Sequence, residues 1–251
     1  MDEKKWVFVT GCAKGIGREI LLRFLKEGYC AYAHARVLTP EWEQELKELE
    51  ESFHTTIIPV CFDLTDSQAM NEKMTELISS KARIDVLVNN AGMMYSGLFA
   101  LTEMETIRKV FDVNLFAVME LTQYVTKLML KKKKGSIVNI SSLGGIEPGK
   151  GMSAYGVSKA AIASWTQVLA SEFGFYGIRV NAVAPGFTDT GMIQDGGLVQ
   201  EKEALENRKG KLSRLADPQE IANAVYFLAS EEAGFVNGTI LRVDGGNRLS
   251  V

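Results

Sequence analysis

The chain has 251 residues, 46% hydrophobic and 24% charged, with a formal net charge of -3, which is ample apolar content for the core of one large domain. So even a balance gives no electrostatic footprint for nucleic acid, and no run approaches the ~20 apolar residues of a membrane span. Scattered Cys12, Cys30 and Cys61 and only two histidines, His34 and His54, exclude a disulfide framework and a metal site, and the acidic start with its brief apolar run is no signal peptide. A cytoplasmic location is expected.

The first predicted strand is KWVFVT, Lys5 to Thr10, and TGCAKGIG, Thr10 to Gly17, follows it directly. Gly11, Gly15 and Gly17 let the backbone turn tightly and approach a pyrophosphate, whose charge suits the N–H groups opening a helix at Gly15 to Glu27. Lys14 and Ile16 lie in the same turn. No Gly-Lys-Ser/Thr follows, so this is not a Walker loop, and its place after the first strand points to a dinucleotide. The second strand, YCAYAHA, ends near Ala35-Arg36. A carboxylate there would bind the ribose hydroxyls of NAD, whereas Arg36 and Lys14 suit a 2'-phosphate, so NADP(H) is expected.

A helix is predicted over Pro40 to Glu51, with Thr39 as N-cap and Pro40 at its first position. Further strands read as TTIIPV, IDVLVNN, GSIVNIS, GIRVNAV and TILRV. Seven strands, apolar nearly throughout and separated by helices, imply a parallel sheet covered on both faces. That is a doubly wound, Rossmann-type α/β fold. No repeat or linker divides residues 1–251, so a single domain is expected. The basic run Lys131 to Lys134 reads as a solvated helix C-terminus complementing the dipole.

In SAYGVSK, Tyr155 and Lys159 stand four apart and share a face at the start of a helix. That spacing also occurs in ordinary surface turns. After the sixth strand, residues 187–213 mix glycine with charge. Ligands of such sheets bind at the strands' carboxyl ends, so this long segment is expected to be a substrate lid.

With TGCAKGIG, NNAG, SS, YGVSK and VNAVAPG in order along one chain, the sequence resembles the short-chain dehydrogenase/reductase family from Lys5 to the VDGG ending at Gly246. The resemblance implies catalytic roles for Asn114, Ser142, Tyr155 and Lys159. It implies that Asp63 receives the adenine amino group beside Leu64, and that Asn90, Ala91 and Gly92 lie along the adenine ribose. Pro185, Gly186 and Thr188 would hold the nicotinamide carboxamide, with Thr190 nearby. Asn114 is associated with a helix kink and a water leading protons to Lys159. A homotetramer is implied as well, with contacts through the helices around Asn114 and Tyr155 and the last strand.

Reduction of a ketone builds negative charge on its oxygen, which must be held and protonated. In this family pattern Ser142 orients the carbonyl and Tyr155 donates the proton. An ammonium about 5 Å from the phenol, at an effective dielectric near 20, favours the phenolate by roughly 3 kcal/mol, about two pKa units. Lys159 is therefore expected to lower the Tyr155 pKa and to hold the nicotinamide ribose. Three residues separate Tyr155 from Lys159, where enoyl reductases of the superfamily have six, so C=O reduction is expected.

The C-terminal run from Ala216 to Gly246 is most similar to the 3-oxoacyl-(acyl carrier protein) reductase group. An acyl carrier protein docking on basic residues such as Lys131 to Lys134 at the site's mouth is implied. Tyr176 stands where that group has a carrier-contacting arginine, and Ala13 replaces a serine common in the glycine loop. Another hydrophobic ketone or secondary alcohol therefore stays open. Met94, Leu143, Ile146, Met152 and Met192 would give the site an apolar lining. A non-catalytic dinucleotide sensor would be expected to lose Ser142, Tyr155 or Lys159, and all three are present.

Overall fold

A computed structural model describes residues 4–147, 149–190, 212 and 214–247. Most of the expected lid, residues 191–211 and 213, lies outside the described residues, and Met192 with it.

All seven expected strands form: β1 (Trp6–Val9), β2 (Cys30–Ala35), β3 (Ile57–Cys61), β4 (Val86–Asn89), β5 (Gly135–Ile140), β6 (Ile178–Pro185) and β7 (Ile240–Val243). They pair in parallel in the order β3-β2-β1-β4-β5-β6-β7. The chain leaves β1 toward one edge and returns beside it with β4. That reversal opens a crevice above the carboxyl ends of β1 and β4, where doubly wound sheets bind ligands.

Apolar stripes at helical spacing decide which face each helix covers. On one face α1 (Gly15–Lys26), α2 (Pro40–Phe53) and α8 (Pro218–Ala229) bury Ile20, Phe24, Trp42, Leu46, Ile221 and Val225 against the sheet, α1 over β1 and β2, α2 over β3 and α8 over β5 and β6. On the other, α3 (Ser67–Ser79), α5 (Ala117–Lys132) and α7 (Tyr155–Phe173) bury Met70, Met74, Leu121, Val125 and Leu169. Thr39 caps α2 as expected, its side chain accepting from Trp42 N–H at 3.3 Å with Pro40 at the first turn. Arg179 on β6 donates to the carbonyls of Leu228, Ala229 and Ser230, satisfying the end of α8. Among the described residues, no helix is long and apolar enough to cross a membrane.

Before α5 the chain runs through α4 (Met104–Phe111) and a π-turn at Asp112–Phe116, which carries Asn114. Such wide turns interrupt an α-helix locally, and this one falls at the position where a kink was expected.

The basic run needs a correction. Lys131 and Lys132 end α5, Lys133 takes the left-handed cap, and Gly135 already begins β5. The run therefore lies at the amino edge of the sheet, about 20 Å from the carboxyl edge at ~3.3 Å per residue of β5. It does not stand at the mouth of its own chain's site. Lys134 pairs with Glu231 at 3.1 Å.

Candidate active site

The glycine turn is fastened before α1 begins. Gly11 and Gly15 have φ of +65° and +59°, a region in which L side chains are strained. A Cβ on Gly17 would stand 2.1 Å from the Gly11 carbonyl oxygen, so α1 can ride over the turn only with glycine there. Asn90 donates from its side chain to the carbonyls of Thr10 and Gly11, at 2.9 and 3.1 Å. Thr10 Oγ1 accepts from the N–H groups of Asn90 and Ala91, both at 2.9 Å. Asn90 thus braces the turn through its side chain, a role the sequence did not indicate, and Thr10 was missed because one threonine in a strand end carries no distinguishing signal.

Helix α1 starts with no acidic residue in its first turn and no side-chain cap from Lys14. Its leading N–H groups and partial positive charge are available to an anion. Lys14 and Arg36 are exposed, Arg36 directly following β2, while Ile16 packs into the core below. Asp63 follows β3. Hydrogen bonds from the backbone and hydroxyl of Thr65 hold its carboxyl below the usual range, and the Arg36 charge adds to that. Leu64 beside it is buried. Cofactor-class positions from β1, β2, β3 and β4 therefore line one carboxyl edge.

Ser142 follows β5 and caps the short helix α6 (Leu143–Ile146), accepting from Gly144 N–H at 3.2 Å. Its neighbour Ser141 is buried and donates to the Lys159 carbonyl at 2.8 Å, so it serves the backbone of α7. Tyr155 opens α7, and Lys159 lies one turn later, buried, with Nζ donating to the Ile140 carbonyl at 2.8 Å.

Burial pushes Lys159 down to about 8. Burial also raises the Tyr155 phenol, with a hydrogen bond from Ser142 opposing it. The expected lowering of the phenol by Lys159 is thus not met. Desolvation disfavours the phenolate, and the Lys159 ammonium is engaged with the Ile140 carbonyl.

Asn114 is fully buried and joins two parts of the site. Its Oδ1 accepts from Met93 N–H at 2.8 Å, and its Nδ2 donates to the Met93 carbonyl and to Ser158 Oγ, at 2.9 and 3.0 Å. Ser158 in turn donates to the Tyr155 carbonyl at 2.7 Å. Sequence reading passed over Ser158, which looks like any small residue of an amphipathic helix. A Cβ on Gly92 would come within 3.1 Å of Asn114 Oδ1 and 3.3 Å of Lys159 Nζ. Both polar atoms therefore border the small space that the absent side chain leaves.

At the end of β6, Gly186 passes so close to β7 that a Cβ would meet Asp244 Cα at 2.8 Å. Pro185 and Thr188 are buried, and Thr188 Oγ1 donates to the Gly186 carbonyl at 3.1 Å. The Thr190 methyl would lie 3.6 Å from a Cβ on Gly15, which brings this segment back over the glycine turn. Of the expected apolar lining, Leu143 is buried and Met94, Ile146 and Met152 are half-buried.

A family model described as enoyl-(acyl carrier protein) reductase matches residues 11–248. A 3-oxoacyl-[acyl-carrier-protein] reductase of Thermotoga maritima is 36% identical over 244 residues, covering 97% of this chain and 98% of that protein. An acetoacetyl-CoA reductase of Acinetobacter is 37% identical over 250 residues, covering 98% of each. A meso-2,3-butanediol dehydrogenase of Serratia marcescens is 32% identical, covering 99% of this chain and 96% of that one. The solved structure of ElxO with NADP bound superimposes with a TM-score of 0.86 at 34% identity, covering 97% of this chain and 98% of that chain.

Proposed function

The chain belongs to the short-chain dehydrogenase/reductase family, and on that premise we propose that it reduces the ketone of a 3-oxoacyl thioester to a secondary alcohol with NADPH. The observation that carries this reading is the placing of Ser142, after β5, beside Tyr155 at the start of α7, with Lys159 buried one turn along that helix.

The residues present fit a dinucleotide. Gly11, Gly15 and Gly17 keep the turn below α1 free of side chains, and the uncapped start of that helix suits a pyrophosphate. Arg36 and Lys14 would meet a 2'-phosphate, and Ala35 puts no carboxylate there to repel it. Asp63, Leu64, Asn90, Ala91 and Gly92 would border the adenosine half, and Pro185, Gly186, Thr188 and Thr190 the nicotinamide half. When bound, the cofactor supplies the hydride.

The chain's own groups manage the oxygen and its proton. Ser142 Oγ orients the carbonyl, and the Tyr155 hydroxyl donates a proton to its oxygen as charge grows there. The raised phenol is fully protonated at neutral pH, the form that reduction needs. Lys159 stabilises the phenolate left behind, and the space over Gly92 between Lys159 and Asn114 would admit a proton-carrying water. Gly156, Val157 and Ser158 alone separate Tyr155 from Lys159. That three-residue gap supports C=O over the C=C chemistry in the matching model's description.

Thioester substrates are supported by the two relatives named for 3-oxoacyl and acetoacetyl thioesters. A second reading, a small ketone or secondary alcohol, is favoured by the butanediol dehydrogenase relative and by Tyr176 in place of a carrier-contacting arginine. NADPH oxidation measured with an acetoacetyl thioester and with a panel of small ketones separates them. Thioester turnover is expected; turnover of ketones alone would favour the second reading, and none at all would overturn both. NADH in parallel should be the poorer cofactor, and a preference for it would defeat the assignment of Arg36 and Lys14.

A further inference from the structure

His34 is buried at 1% exposure on β2, and the chemistry assigned above makes no use of it. Its ring nevertheless spans two elements of the dinucleotide site. Nδ1 accepts from the Gly11 N–H at 3.3 Å, and Nε2 lies 3.1 Å from the Phe62 carbonyl oxygen. An amide N–H can only donate and a carbonyl can only accept, so the ring must be the neutral tautomer with its proton on Nε2. The His34 carbonyl takes a third contact, accepting from Cys12 N–H at 3.0 Å and from Cys12 Sγ at 3.4 Å. Phe8 stacks on the ring and Phe62 packs edge-on against it, which fixes its plane.

These contacts tie the glycine turn to the ends of β2 and β3. Arg36 is two residues beyond His34, and Asp63 immediately follows Phe62. Burial pushes the imidazole down to about 4, with the Phe62 carbonyl and the Asp63 charge acting the other way, so the ring stays neutral at neutral pH.

We propose that His34 is a positioning residue for the dinucleotide, holding Gly11 in register with Arg36 and Asp63 and so setting NADP(H) affinity without contact with the reacting carbonyl. This rests on the NADP(H) reading above. The test is cofactor binding and steady-state kinetics for His34→Leu, which removes both ring contacts, and His34→Asn, which keeps an acceptor near Gly11. Wild-type protein should bind NADPH; failure to bind would overturn the cofactor reading itself.

Given that binding, the Leu variant should bind about 5- to 100-fold more weakly, the consequence of leaving the half-buried Gly11 N–H unpaired. Its kcat at saturating cofactor and its KM for the carbonyl substrate should stay within about threefold, and Asn should recover part of the affinity. Wild-type affinity in a folded variant, or an equal loss in kcat and in both substrates, overturns the proposal. Should His34→Leu fail to fold, the 15N spectrum of histidine-labelled wild type, assigned with His54→Gln, decides. A neutral Nε2–H ring whose Nδ1 resonance moves on adding NADP is expected, and a protonated ring or one indifferent to NADP at pH 7 overturns it.

Discussion

At the scale of single residues the proposed mechanism turns on Tyr155, whose proton affinity is raised chiefly by burial. A raised phenol holds its proton through neutral pH, while Lys159, lowered to about 8, loses its charge as pH rises past that value. Reduction needs the phenol protonated and the phenolate stabilised, so kcat/KM for reduction should be level below about pH 7 and fall as pH climbs through 8. Alcohol oxidation needs the phenolate, which a raised phenol forms only at higher pH and which neutral Lys159 no longer stabilises, so it should not rise in the same window. A pH profile in both directions checks this, and a reductive rate that climbs from pH 7 to 9 would contradict it. Tyr155→Phe removes the donor while leaving the ring's volume, so turnover should drop by about 10²- to 10⁴-fold with NADPH affinity unchanged. Retained turnover would rule out the tyrosine mechanism. The pair was legible through its spacing and the motifs around it. The direction of its pKa was not, since an effective dielectric assumed from sequence cannot register how far a half-buried side chain is desolvated.

At the scale of elements, the site depends on how closely α6 docks on α7. A Cβ on Gly145 would stand 2.6 Å from Lys159 C and 2.7 Å from Ala160 N, and one on Gly156 would meet the Gly144 carbonyl at 2.7 Å. Backbone here touches backbone, so nothing flexible can give way. Gly145→Ala must push α6 outward and carry Ser142 away from Tyr155. About 1–3 kcal/mol of destabilisation is expected, together with a loss of kcat of at least about tenfold, because catalytic hydroxyls tolerate little misplacement. Thermal unfolding and turnover measure the two effects. Gly149→Ala is the control: among the described residues its Cβ would meet only Met152 Cγ, at 3.8 Å, and should leave both nearly unchanged. Strand and helix positions were readable to within a residue or two because their apolar runs are bounded by Gly, Asn, Asp and Pro. The glycine contacts between α6 and α7 were not, because a small residue in a loop looks the same whether it meets solvent or a carbonyl.

At the scale of the whole molecule, the order of the strands decides what can serve the site. In a parallel sheet joined by helices, each helix delivers the chain to the amino edge, so a helix C-terminus and the next strand's start share that edge. Lys131 and Lys132 precede β5, whereas Ser142 and Tyr155 follow it. The topology thus places the basic run opposite the site, a conclusion already contained in the sequence once the run was put on a helix leading into a strand. Exposed Phe116, Val157 and Val168 on the outer helices are compatible with the expected tetramer, in which a neighbouring copy could bring its own lysines closer. Within one chain, however, about 20 Å separates them from the chemistry. That is two Debye lengths at 0.1 M salt, so their charge is screened there. Lys131→Glu combined with Lys132→Glu, which spares the Lys134–Glu231 pair, should therefore leave kcat and KM for a free thioester within about twofold. The same should hold for a carrier-linked thioester; a rise in KM confined to the carrier-linked form would show that a carrier docks on this edge and serves a neighbouring copy's site.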